Sequence, residues 1–214
     1  FLVKMSIFEQ AYKEYLEIAK DEKYIFLTEF DQDHGILKKK NSVDLEIKWY
    51  DWAHTLPGFN RFDFSHLAPN EITMPYLGIQ LHWLMSHEGY CTNPEILTLI
   101  NDSVLSGIDQ LLIIASHPNM FHGDASTHNF LIGNSKPYWI DPLFPENGYP
   151  SESDIQSFFV SVAINWDEYP TKFLEYLPQI KKNMLTHTNL KLGEMGLPYR
   201  YQMSKDKEEL VKCF

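Results

Sequence analysis

Asp124, Asn129 and Asp141 are spaced so that one loop and one short hairpin would bring a carboxylate, an amide oxygen and a second carboxylate together. The first two lie in Phe121-His122-Gly123-Asp124-Ala125-Ser126-Thr127-His128-Asn129-Phe130-Leu131-Ile132. The third follows a turn at Gly133-Asn134, in Tyr138-Trp139-Ile140-Asp141-Pro142. Oxygen-only sets of this kind suit a hard cation such as Mg²⁺, whose shell substrate phosphates usually complete. A carboxylate not spent on the metal can orient and deprotonate a hydroxyl, and phosphoryl transfer to an alcohol requires that combination. Two other readings of the stretch have less behind them. His122, His128 and Asp124 as metallohydrolase ligands lack further partners at a recognisable spacing. Ser126 as a nucleophile lacks the G-x-S-x-G context and an obvious base.

HGDxxxxN followed by a hydrophobic strand and IDP resembles the catalytic and metal loops of the aminoglycoside phosphotransferase and choline kinase group. The resemblance implies a small-molecule kinase with Asp124 as catalytic base and Asn129 and Asp141 as Mg²⁺ ligands. Asp141 would bridge to the nucleotide phosphates, and His122 would hold the loop's backbone. Upstream, Phe1-Leu2-Val3-Lys4 is similar to the strand whose lysine contacts those phosphates. Glu14, in the helix that follows, is then the glutamate paired with Lys4, with Glu17 one turn on as its substitute. Ile72 to Gly78 is similar to the hinge between lobes, which places Met74, Pro75 and Leu77 among the nucleotide contacts. There the Pro75 carbonyl would accept from the adenine amino group and the Leu77 N–H would donate to the ring. Asp154 resembles an aspartate that braces the catalytic loop, and a plain helix N-cap accounts for it equally well.

The implied cofactors are ATP, with GTP as an option, and Mg²⁺. The implied partner is a small-molecule hydroxyl acceptor such as a sugar, amino sugar or amino alcohol. The rival is a non-catalytic kinase-like domain that binds a nucleotide or partner. No glycine-rich phosphate loop is present, and the expectation is that it precedes Phe1, where a strand is already under way.

These residues need a scaffold, and periodicity outlines one. After the opening strand, apolar positions Ile7, Ala11, Tyr15, Ile18 and Ala19 predict a helix from Ser6 to Asp21. Strands are predicted at Tyr24–Phe30 and Ile72–Leu77, and hairpin plus irregular or short helical structure over Asp31–Pro69. Helices are predicted at 79–88, Pro94–Ser116, 151–166 and 171–185, with another from Lys205. Asn129–Ile132 and Pro137–Ile140 read as paired strands. The fold class is therefore α+β. The expected organisation is a two-lobed protein-kinase-like fold, with an incomplete mixed lobe over 1–77 and a larger helical lobe over 78–214.

Composition narrows the partners. A net charge of −11 over 214 residues opposes binding to nucleic acid or acidic lipid. The basic run Lys38-Lys39-Lys40 reads as a solvated loop. Cys91 and Cys213 form neither a disulfide framework nor a metal spacing. No apolar run is read as a membrane span and no signal peptide opens the chain, so a cytoplasmic location is expected. Trp49, Tyr50 and Trp52 are assigned to the core before a substrate pocket. Asp167 and Glu168 are assigned to a solvated helix end before a cationic substrate. The histidines outside the 121–132 segment are assigned to surface or core roles.

Overall fold

The computed structural model describes residues 5–21, 28–31, 36–40, 44–68, 71–117, 120–133, 136–143, 152–164 and 167–196. The expected opening strand with Lys4, residues 24–27 of the second strand, and the helix from Lys205 lie outside them.

The first element among the described residues is helix α1, Ile7–Asp21. Its start is a reciprocal capping box. The Glu9 N–H donates to Ser6 Oγ at 3.1 Å, and the Ser6 N–H donates to Glu9 Oε2 at 2.7 Å. Ala11 and Tyr15, four residues apart, are fully buried, and the helix packs against the helical part of the molecule, on α4 and β5 below.

A four-stranded antiparallel sheet follows, built from β1 (Thr28–Asp31), β2 (Ile36–Lys40), β3 (Ser65–Ala68) and β4 (Glu71–Pro75) in the order β1-β2-β4-β3. The basic run expected in a loop is thus the body of β2, a strand paired on both sides. Between β2 and β3 lies a ten-residue helix, α2 (Asp44–Ala53), where no definite helix was expected. Its buried residues Glu46, Trp49, Tyr50 and Ala53 follow the i, i+3, i+4, i+7 pattern of one helix face. A glutamate in the first of those positions conceals the period.

Beyond β4, Ile79–Gln80 is a short strand, β5, not the first turn of a helix; helix α3 is confined to Leu81–Ser86. β5 pairs with β6 (Phe130–Ile132), which pairs with β7 (Pro137–Trp139), all antiparallel. Helix α4, Pro94–Ala115, is capped by Asn93, whose Oδ1 accepts from the N–H groups of Glu95 at 2.9 Å and Ile96 at 3.4 Å. Contrary to the sequence reading, α4 is long and apolar enough to cross a membrane. Half of its apolar window is buried inside the protein, where α4 packs on α5 (Glu152–Ile164) and α7 (Leu177–Glu194), as a core helix does. The single helix expected over 171–185 is two, α6 (Thr171–Leu174) and α7. Pro178 opens the second, because a residue without an N–H cannot sit in the interior of one continuous helix.

The architecture is α+β, with one core that includes Trp49 and Tyr50 of α2, Ile72 and Met74 of β4, the apolar face of α4 and Trp139 of β7.

Candidate active site

The antiparallel β6–β7 hairpin sets the geometry. Asn129 immediately precedes β6 and Asp141 follows β7 by two residues, so both stand at the same end of the hairpin. The Ile140 N–H donates to the Asn129 carbonyl at 3.0 Å and carries the pairing one step past the strands. Asn129 is buried, and its Nδ2 donates to Asp124 Oδ2 at 2.7 Å and to the Asp124 carbonyl at 3.0 Å. Because the amide's donor side is spent on Asp124, its Oδ1 is the atom left to meet a ligand. The structure therefore brings Asp124 and Asn129 into direct contact and sets Asp141 at the neighbouring strand end.

The loop 121–124 is tied down from several directions. Gly123 adopts φ 87°, a left-handed conformation that suits glycine. His122 is fully buried between Trp49 and Trp139, with ring centroids at 5.2 and 5.3 Å. Its Nδ1 accepts from the Asp124 N–H at 3.3 Å, so Nε2 carries the proton and donates to the Ile140 carbonyl at 2.9 Å. The ring thus links the Asp124 loop to the Asp141 loop. The Leu143 N–H donates to the His122 carbonyl at 2.8 Å, and Trp49 Nε1 donates to the Phe121 carbonyl at 2.8 Å. Asp154, almost fully buried on α5, accepts from the N–H groups of His122 and Gly123. Of its two accounts, bracing of this loop is the one the hydrogen bonds describe. Burial pushes the Asp154 carboxyl up to about 6 although both N–H donors pull it down.

Asp141 has φ 57°, the one positive φ at a non-glycine among the described residues. Its N–H donates to Tyr50 Oη at 2.9 Å, and that hydroxyl donates to Glu46 Oε1 at 2.7 Å. Burial, with the Glu46 carboxylate beside it, keeps the Tyr50 phenol well above its ordinary value, and so protonated. Sequence reasoning placed Tyr50 in the core and passed over Glu46. The helical spacing of Trp49, Tyr50 and Ala53 was a signal for the face that carries Tyr50, whereas nothing local marked Glu46 as buried.

The other residues expected from the sequence to meet a nucleotide are arranged as follows. Met74 is buried, Leu77 half-buried and Pro75 exposed at the end of β4. Pro75, Tyr76 and Leu77 border a recess of ≈ 380 Å³ together with Arg61, Phe62, Asp63 and Tyr138. Gly78 follows, and any Cβ there would sit 2.2 Å from the Ile132 carbonyl oxygen, so this crossing from β4 to β5 requires glycine. Glu14 is exposed on α1. Its Oε2 accepts from Tyr90 Oη at 2.6 Å, and its Oε1 lies 3.1 Å from His87 Nε2. Lys4 lies outside the described residues, so its relation to Glu14 is not part of this geometry.

A group the sequence scattered is assembled beside Asp124. The rings of His82 and His128 stack at 4.0 Å, and His82 Nε2 lies 2.7 Å from Glu168 Oε2. Burial holds both imidazoles below the ordinary histidine value. Among the described residues no three His, Cys, Asp or Glu side chains gather as a metal cage, so the metallohydrolase reading gains no support.

No protein-family model matches the chain, and no curated protein matches its sequence.

Proposed function

We propose that this chain is a small-molecule kinase that transfers the γ-phosphoryl group of ATP to an alcohol, with the two-lobed organisation of the protein-kinase-like fold. The observation that carries the reading is the contact of Asp124 with Asn129 at one end of a hairpin whose other strand delivers Asp141 there. The donor set fits Mg²⁺, because the Asn129 Oδ1 and the Asp141 carboxylate are hard oxygen ligands. A bound Mg²⁺ would supply charge neutralisation for the phosphates in the transition state. Asp124, exposed and steadied by the Asn129 amide, is placed to orient an acceptor hydroxyl and take its proton. Met74, Pro75 and Leu77 would meet the nucleotide base, as the resemblance implies.

Within this reading the resemblance pairs Lys4 with Glu14, which is exposed and engaged by Tyr90 and His87.

The test is a thermal-shift titration of the full chain with ATP, with and without Mg²⁺, followed by a screen of sugars, amino sugars and amino alcohols for phosphate transfer. Ligand that binds the native state raises the melting temperature. A magnesium-dependent rise, lost in Asp141→Ala, is the expected result. Full activity in Asp141→Ala would sink the assignment, and no shift with any nucleotide would favour a non-catalytic domain.

A further inference from the structure

We infer that Tyr50, with its hydroxyl aimed by Glu46, is a positioning residue that sets the backbone of Asp141 and so its fitness as a metal ligand. The inference rests on the proposed role of Asp141. Three observations meet here. Asp141 is held at φ 57°, a left-handed conformation that is uncommon for any residue but glycine, although aspartate tolerates it better than most. Such a conformation persists only where the surroundings determine it. One of those determinants is a hydrogen bond from the Asp141 N–H to Tyr50 Oη at 2.9 Å.

The third observation gives the bond its direction. A phenol can donate along its O–H and accept at its oxygen lone pairs, and a backbone N–H can only donate. The Glu46 carboxylate accepts the hydrogen bond that the phenol donates, at 2.7 Å, so the oxygen lone pairs are presented to Asp141. Glu46 and Tyr50 are both buried, one helical turn apart on α2, so water has little access to the bond between them. Tyr50 is also wedged edge-on against Trp49 and Phe62, with centroids at 5.7 and 5.0 Å, which fixes where the hydroxyl ends. The Tyr50 oxygen therefore ties the Asp141 backbone directly to the position of α2. A shift of α2 would move the acceptor and release the Asp141 backbone from its left-handed state.

Wild type, Tyr50→Phe, Glu46→Ala and Glu46→Gln are compared by the Mg²⁺ concentration needed for the half-maximal ATP-dependent melting shift. The shift with ATP alone is read beside it. Tyr50→Phe is expected to raise the Mg²⁺ requirement by about tenfold, the value of a buried hydrogen bond left half-made. The metal-free ATP shift should stay unchanged. Glu46→Ala should raise the requirement severalfold, and Glu46→Gln, which keeps an acceptor for the phenol, should restore it. A merely structural role would lower the melting temperature of the variants without moving the Mg²⁺ requirement. An unchanged requirement in Tyr50→Phe overturns the inference and leaves the kinase reading standing. If Tyr50→Phe fails to fold, the two Glu46 variants decide, and equal requirements in both overturn the inference. A wild type whose ATP response ignores Mg²⁺ overturns the kinase reading itself and this inference with it.

Discussion

Asp154 accepts hydrogen bonds from two consecutive backbone N–H groups, that of His122 at 2.5 Å and that of Gly123 at 2.9 Å. The arrangement satisfies two donors that a tight loop would otherwise bury, and it places a carboxylate where almost no water reaches it. The two effects oppose each other, and burial wins. The carboxyl is raised from 3.8 to about 6.

A raised folded-state value gives the sign of a pH effect. The native state holds the proton more tightly than the unfolded chain. The contribution to stability is therefore full below about 3.8 and is lost as the pH rises through about 6. The stability of wild type relative to Asp154→Asn should fall between pH 4 and pH 7, by up to about 3 kcal/mol. Urea midpoints of the two proteins across that range measure it. A constant difference would mean that Asp154 ionises like an exposed carboxyl.

His122 bridges the two loops of the site, and its packing can be separated from its hydrogen bonds. In His122→Phe the ring still fills the space between Trp49 and Trp139. The Ile140 carbonyl loses its donor and the Asp124 N–H loses its acceptor. The expected loss is about 2 kcal/mol, visible as a lower urea midpoint with an unchanged slope. A variant as stable as wild type would show that the imidazole contributes shape alone.

How much of this could be read beforehand depends on whether a residue's role was written locally. That Asp124, Asn129 and Asp141 come to one end of a hairpin was legible because two short apolar strands joined by a tight turn have few ways to fold, and their ends must meet. The capped helix α4 was legible for the same reason, with Asn93 and Pro94 at its start. Glu46 and Tyr50 were not, because their meaning is a contact with Asp141 across 91 residues of sequence. A buried glutamate also breaks the binary pattern that marks a helix face. The lysine run was read as a loop because three adjacent charges suggest one, whereas its pairing with β4 was decided by the sheet as a whole. His82, His128 and Glu168 lie on three segments that only the tertiary fold brings together.

Glycine positions give a stability contrast that needs no ligand. A Cβ at Gly78 would lie 2.2 Å from the Ile132 carbonyl oxygen and 2.4 Å from its carbon, both backbone atoms that cannot swing aside. Gly78→Ala should cost more than about 3 kcal/mol through forced separation of β5 from β6. Gly193, in the last turn of α7, has nothing within 4 Å of its added Cβ. Gly193→Ala should raise stability by roughly 0.5 kcal/mol, since alanine favours the helix and restricts the unfolded chain. Thermal melts of both variants check the pair, and a tolerated Gly78→Ala would contradict the described crossing.

Asp124 and Asn129 touch, yet the proposed chemistry assigns them separable tasks. In Asp124→Asn the new side chain keeps an oxygen that can accept from Asn129 Nδ2, so the turn should hold. What is lost is a group able to take the acceptor's proton. Turnover of whichever hydroxyl acceptor scores in the screen should fall by roughly 10² to 10⁴, while the magnesium-dependent ATP shift persists. Asn129→Ala removes both bonds that hold Asp124, at 2.7 and 3.0 Å, and the amide oxygen assigned to the metal. Turnover and the magnesium-dependent shift should then fail together. Asp124→Asn at wild-type turnover would remove the base from the mechanism. Loss of the ATP shift in that variant would instead make Asp124 part of the nucleotide and metal site, with proton removal left to another group.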